Sequence, residues 1–297
     1  MSSNTRKVYI ENEKGELELI DTLADNQEVI KRTIPTAKQR TFLDNNDLLH
    51  NLEKKLGGYV HLYYIKQDLL FNNINIDRAS ISRFLYLCTY IDYNTNQANL
   101  LVLKNGSNII PMTKNDVKRI LGLGKTAFND FYREMLNNEL IFEANNKIYL
   151  SNEYVTKGTI ENKKKDFTRL FIDPVRHLYE HCTPRQHKQL SYVLQLAPFL
   201  DYNNNFITID NKVADIKDVM ELLGLSTDSK NAISTFRNNM LKFHIEYGGN
   251  KYYLFASVTI RYAEDEREVL AINPRVLWAG YDIECNNAIF NQLLIKE

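Results

Sequence analysis

Apolar side chains recur at helical spacing between residues 78 and 91, where Ile81, Phe84, Leu85, Leu87, Cys88 and Ile91 define a broad buried face. A short strand-like stretch follows at 100–103. Thr113 is placed to cap a short helix over 114–121 that turns Val117, Ile120 and Leu121 inward. Gly122-Leu-Gly124 breaks that helix, because glycine is favoured where the chain needs positive φ. A second helix is predicted over 125–138, with Phe128, Phe131, Met135 and Leu136 on its apolar face. Two short helices joined by a tight glycine turn form a helix-turn-helix. Beyond it, Leu140-Ile-Phe142 and Lys147-Ile-Tyr-Leu150 flank Glu143-Ala-Asn-Asn146, the pattern of a β-hairpin.

The same order returns about a hundred residues later. Tyr90-Ile-Asp-Tyr-Asn94 recurs as Phe199-Leu-Asp-Tyr-Asn203, and Asp116-Val-Lys-Arg-Ile-Leu-Gly-Leu123 as Asp218-Val-Met-Glu-Leu-Leu-Gly-Leu225. Phe131-Tyr-Arg-Glu-Met-Leu136 matches Phe236-Arg-Asn-Asn-Met-Leu241, and Asn146-Lys-Ile-Tyr-Leu150 matches Asn250-Lys-Tyr-Tyr-Leu254. The second hairpin turn is Gly248-Gly-Asn250. Helix, strand, helix-turn-helix and hairpin make a winged helix. The expected fold is therefore α+β, with two tandem winged-helix domains from an internal duplication. An N-terminal arm (1–57) precedes the first domain (58–158). A polar linker (159–166) leads to the second (167–281), and a tail (282–297) closes the chain.

Composition narrows the function. Across 297 residues, 37 Lys+Arg balance 37 Asp+Glu, with 44% hydrophobic and 25% charged residues. That is the profile of a soluble globular chain and excludes low-complexity disorder for its bulk. There is no apolar run of membrane-spanning length and no signal-like h-region at the N-terminus, so no membrane role and a cytoplasmic location are expected. Cys88, Cys182 and Cys285 lie far apart and form no CxxC pair, which fits a reducing compartment. Neutrality excludes an all-over basic coat but not a local basic face. The first domain carries 11 basic and 9 acidic residues, and residues 168–281 carry 13 of each.

In a DNA-bound helix-turn-helix the second helix enters the major groove. Removing the apolar positions leaves Lys125, Thr126, Asn129, Tyr132 and Arg133 outward in the first domain. In the second they are Ser229, Lys230, Asn231, Ser234, Arg237 and Asn238. Arg can pair with guanine and Asn with adenine, while Ser, Thr and Tyr can bond phosphates. Lys125 aligns with Lys230, and Lys147 in one hairpin with Lys251 in the other. Lys114, Lys118 and Arg119 on the first helix and Lys163, Lys164 and Lys165 in the linker are further phosphate candidates. The second domain is equally open to a role as a dimerisation or partner module.

The stretch from about 84 to 158 resembles the plasmid replication proteins of the RepL type and related winged-helix initiators. The features are Tyr90-Ile-Asp-Tyr93, the helix and turn from Thr113 to Leu123, and Tyr149-Leu-Ser-Asn-Glu-Tyr-Val-Thr-Lys-Gly158. The second domain closes with Ile272-Asn-Pro-Arg-Val-Leu-Trp-Ala-Gly280, similar to the Asn-Pro-x5-Gly ending of that group; the first has Ser151-Asn152 instead. The resemblance implies a plasmid or phage replication initiator that binds repeated origin DNA, recruits host replication proteins and is not an enzyme. A transcriptional regulator of a mobile element and a phage-encoded protein–protein inhibitor are the alternatives, and a homodimer fits all three.

Other chemistry is poorly supported. His177, His181, Cys182 and His187 have partial zinc spacing, but Pro184 interrupts the helix, so no metal or other cofactor is expected. Gly122-Leu-Gly-Lys-Thr126 lacks the first glycine of a phosphate-binding loop, and no GxSxG is present. In the arm, Val8-Tyr-Ile10 and Leu17-Glu-Leu19 predict a small hairpin around Glu13-Lys-Gly15. Arg32, Lys38 and Arg40 follow it as either a DNA-contacting arm or a packing strap. The tail segment 289–295 predicts an amphipathic patch that buries against the second domain or another subunit.

Overall fold

A computed structural model describes residues 5–11, 17–24, 37–63, 76–93, 99–158, 167–240, 242–262, 265–280 and 282–293. The chain divides into two compact units, 1–44 and 45–297. In the first, β1 (Thr5–Glu11) and β2 (Leu17–Ala24) form the predicted antiparallel hairpin, with a register irregularity at Val8/Tyr9. Helix α1 (Ala37–Lys55) follows, its residues from Asn45 onward belonging to the second unit.

The second unit is a mixed α+β body. Its first stretch contains β3 (Tyr59–Tyr63), α2 (Arg78–Cys88), β4 (Val102–Asn105) and β5 (Asn108–Pro111). Next come α3 (Lys114–Ile120), α4 (Lys125–Asn137), β6 (Ile141–Ala144), β7 (Lys147–Leu150) and β8 (Val155–Thr156). The second stretch opens with β9 (Phe167–Phe171), α5 (Ile172–His181) and α6 (Pro184–Leu196). It continues through β10 (Thr208–Ile209), β11 (Lys212–Val213), α7 (Ile216–Leu222) and α8 (Lys230–Met240). Hairpins β12 (His244–Tyr247)–β13 (Asn250–Tyr253) and β14 (Phe255–Tyr262)–β15 (Asp265–Ile272) follow. Strand β16 (Leu277–Trp278) and α9 (Ile283–Gln292) end the described chain.

The helix boundaries follow from local chemistry. Thr113 caps α3 reciprocally with Asp116, and Asp215 caps α7 reciprocally with Asp218. Gly122 and Gly224 end these helices at φ +64° and +63°, a region costly for other L-residues.

A four-stranded sheet, ordered β16-β9-β3-β8, joins the two stretches. Strands β3 and β9 pair antiparallel in the middle, with His61 opposite Arg169. The outer pairs repeat one register: Leu62 faces Val155 and His61 faces Thr156, as Leu170 faces Leu277 and Arg169 faces Trp278. Helices α2 and α6 pack together, the Arg78 guanidinium donating to the Tyr192 hydroxyl at 3.1 Å, while Tyr86 of α2 stacks on Tyr179 of α5 at 4.1 Å. One continuous apolar core runs through both stretches, from Val60, Phe84 and Met135 to Val193, Val219 and Phe255.

Backbone hydrogen bonds outside the elements also recur. Leu101 N–H donates to Ile148 O, and Ile207 N–H to Leu270 O. Leu150 donates to Asn99 O and Ile272 to Asn205 O; Ser151 donates to Leu140 O and Asn273 to Leu254 O. The bridge Leu100–Tyr149 returns as Phe206–Ala271. These bonds identify β14–β15 as the counterpart of β6–β7. The sequence alignment instead pairs β6–β7 with β12–β13, because the motif Asn-Lys-x-Tyr-Leu occurs by 254 as well as by 150. That hairpin is an additional element, so Lys251 does not correspond to Lys147.

The structure also fills in three other segments, the tail among them burying against the second stretch as expected. The strand at 100–103 is half of a hairpin, β4–β5, as is its counterpart in β10–β11. The tail forms α9, whose Phe290 is buried and stacks on Tyr252 at 4.0 Å. Arg275 of the Asn-Pro-Arg segment anchors that helix, its Nη1 donating to Asn286 Oδ1 at 2.7 Å, while Asn273 Nδ2 donates to Tyr253 O on β13 at 2.8 Å.

Candidate nucleic-acid interface

Helix α4 presents a polar stripe. Lys125, Asn129 and Arg133 stand four residues apart on one exposed face, with exposed Thr126 beside them. Phe128, Phe131 and Met135 hold the opposite face in the core. Gly124 precedes the helix without a side-chain cap, so its first amides remain open to an external acceptor, favoured by the helix dipole. Arg133 pairs with Asp130 at 2.7 Å, both exposed, a contact that water and salt screen heavily.

Tyr132 is not outward. It is 5% exposed, with its ring 5.3 Å from Phe128. It lies four residues after Phe128 and next to Phe131, inside the core-facing arc rather than beyond it. Lys114 Nζ sits 5.0 Å from its ring centre and 2.7 Å from Glu143 Oε1. Burial drives the Tyr132 hydroxyl well above its ordinary range, and the Lys114 ammonium holds Glu143 below its own. Lys114 therefore clips α3 to the β6–β7 hairpin. Leu136, expected inside, is 37% exposed, because the core-facing arc passes through Met135 instead.

On α3, Arg119 pairs with Asp116 at 3.0 Å, while Lys118 is partly exposed. Lys147 is half-buried at the start of β7. Lys163, Lys164 and Lys165, and Arg32 in the arm, lie outside the described residues, and nothing is described of the Lys38 and Arg40 side chains.

Helix α8 bears the equivalent stripe, Lys230, Ser234 and Asn238, all exposed, with Asn231 alongside. Ser229 is committed locally, its hydroxyl accepting from Ala232 N at 3.1 Å. Arg237 occupies the place of Tyr132 but, unlike it, stays partly exposed, engaged in an ion pair with Glu268 on β15. Glu268 also accepts from Ser257 on β14. The guanidinium expected on the outward face is thus held by the neighbouring hairpin. Lys251 lies on the additional hairpin β12–β13, apart from this stripe in the fold.

Between α6 and α8 lies a groove of about 450 Å³ lined by Tyr192, Met220, Leu225 and Phe236. The corresponding groove between α2 and α4, about 510 Å³, is charged: Asp77, Arg83, Asp130, Arg133 and Glu134 line it.

The histidines fall elsewhere. His177 stacks on His181 at 4.0 Å, and His187 stacks on Tyr179 at 4.3 Å. Among the described residues no group of three His, Cys, Asp or Glu side chains is set to hold a metal ion, and no helix is long and apolar enough to cross a membrane. No family model matches the chain, and no match is found among curated proteins or solved structures.

Proposed function

We propose that the chain is a sequence-specific double-stranded DNA-binding protein built from two winged-helix domains of common origin. In this reading α4 is the recognition helix of the first domain and β6–β7 its wing. The carrying observation is the exposed stripe Lys125–Asn129–Arg133, with Arg133 held only by the solvent-screened contact to Asp130, beside open helix N-terminal amides. Asn and Arg supply base-edge recognition, and Lys125, Thr126 and the amides supply phosphate contacts. The repeated hydrogen bonds around Asn99 and Asn205 support common origin. The role we favour is replication initiation on a plasmid or phage, with repeated origin DNA as ligand and no enzymatic step.

The test is fluorescence anisotropy with genomic fragments selected on the full chain. Lys125→Ala should weaken all duplexes and lower the salt slope by about 1. Arg133→Ala should cost about 1–3 kcal/mol on the selected site and relax its sequence preference. No binding to any duplex at low salt overturns the proposal. Replication of a plasmid lacking its own initiator separates an initiator from a transcriptional regulator.

A second reading has its own observation. Arg237 is neutralised by Glu268, and the groove beside α8 is apolar. Both favour a protein partner for the second domain, a host replication protein or a second copy of the chain. Duplex affinity that survives Lys230→Ala unchanged supports that division of labour.

A further inference from the structure

A pocket of about 200 Å³ opens between β4, the residues after β8 and the first turns of α5. Three cations face it: Lys104, Lys157 and Arg176. Arg176 is fixed, its Nε donating to Thr89 Oγ1 at 3.0 Å and its Nη2 to Thr89 O at 2.8 Å, with the guanidinium 4.2 Å from the Tyr90 ring centre. Lys157 Nζ donates to Ile91 O at 3.2 Å. An ammonium has three donors and a guanidinium five, so both retain donors for a ligand. Two carboxylates are at hand: Asp92, buried and 3.8 Å from Lys104, and exposed Asp173 at the rim. Burial, and then the charges of Lys104 and Arg176, push the Lys157 ammonium down to about 8.

The second stretch supplies an internal control. There the register of β16 puts Ala279 where Lys157 stands, and the residue matching Lys104 is Asp210. The second stretch is built without the two lysines, so their convergence on Arg176 is not a packing requirement. We infer that Lys104, Lys157 and Arg176 form a binding site for a phosphoryl group. A fixed guanidinium matches two phosphate oxygens, and the two ammonium groups neutralise its charge. The phosphoryl group is either that of a free phosphomonoester or a backbone phosphate of DNA.

The experiment follows the ³¹P line width of inorganic phosphate over the full chain at fixed ionic strength. The expected result is broadening by the wild type and at least tenfold weaker binding by Lys157→Met and by Lys104→Met, each with an unchanged circular dichroism spectrum. Lys104 is exposed, so its replacement keeps the test valid should Lys157→Met fail to fold. Displacement by deoxyadenosine monophosphate, with duplex affinity unaltered in the variants, assigns a free ligand. Displacement by duplex, with a reduced salt slope in Lys104→Met, assigns the DNA backbone. Absence of broadening by the wild type, or equal broadening by the variants, overturns the inference.

Discussion

Asn99 and Asn205 offer a quantitative test of the repeated architecture. Both are buried at 2% exposure and both adopt left-handed backbone, at φ 59° and 57°. Asn205 Nδ2 donates to Ile272 O and Leu277 O, each at 2.8 Å, whereas Asn99 Nδ2 donates to Val155 O at 2.7 Å. A buried hydrogen bond contributes about 1 kcal/mol net, and a left-handed residue other than Gly or Asn costs about 1 kcal/mol. Asn205 Oδ1 also accepts from Ala279 N at 3.4 Å, so Asn205→Ala should cost about 4 kcal/mol and Asn99→Ala about 2 kcal/mol. Asn205→Gly relieves the backbone cost and should recover about 1 kcal/mol relative to Ala. The assay is urea denaturation followed by fluorescence of Trp278, the single tryptophan, buried on β16 next to Leu277. Equal costs for the two alanine variants, or no gain from glycine, would refute the reasoning.

Glu268→Gln should release Arg237 and, if the second domain meets DNA, steepen the salt slope by about 1 in anisotropy titrations. Burial, then the charge of Arg169, lowers His61 to about 4. The unfolded chain thus binds more protons between about pH 4 and 6.5, and stability present above 6.5 is lost as pH falls toward 4. The loss is on the order of 3 kcal/mol, and His61→Gln should flatten that part of a denaturation profile. At Gly280 an added Cβ would lie 2.1 Å from Tyr202 O, so Gly280→Ala should lower the unfolding temperature by several degrees in calorimetry.

Elements with a clean amphipathic period were legible in the sequence. Helices α3 and α4, their glycine turn and β6–β7 follow the predicted boundaries to within a residue or two. The central sheet was not. Strands β3 and β9 each bury their last four residues on both faces, so no alternation marks them, and they carry His61, Thr168 and Arg169 inside. At the candidate interface, the exposed stripe was readable from spacing, but the fates of Tyr132 and Arg237 were not. Tyr132 falls in the core-facing arc set by Phe128 and Phe131, a helical phase drawn one residue too narrow, whereas Arg237 depends on a long-range partner, Glu268. The β12–β13 insertion was masked by a short motif that resembles the end of β7.

The differences between the two stretches are unevenly placed. The sheet, the paired helices α2 and α6 and the bonds around the two buried asparagines are alike in both. Beyond the pocket of Lys104 and Lys157, the differences gather where α4 and α8 meet their hairpins. In one stretch a four-residue strand pair follows a helix whose stripe is open; in the other an inserted hairpin is followed by an eight-residue strand pair that holds Arg237. That longer pair also carries Asp265 and Glu266 at the start of β15, charges that would repel a phosphate backbone. A scaffold kept the same while one working surface gains acid and loses a cation fits two heads with different ligands. If the chain binds DNA as proposed, overall neutrality has a physical reading: long-range attraction would be weak and affinity would come from the short-range contacts of α4, favouring specific over nonspecific sites.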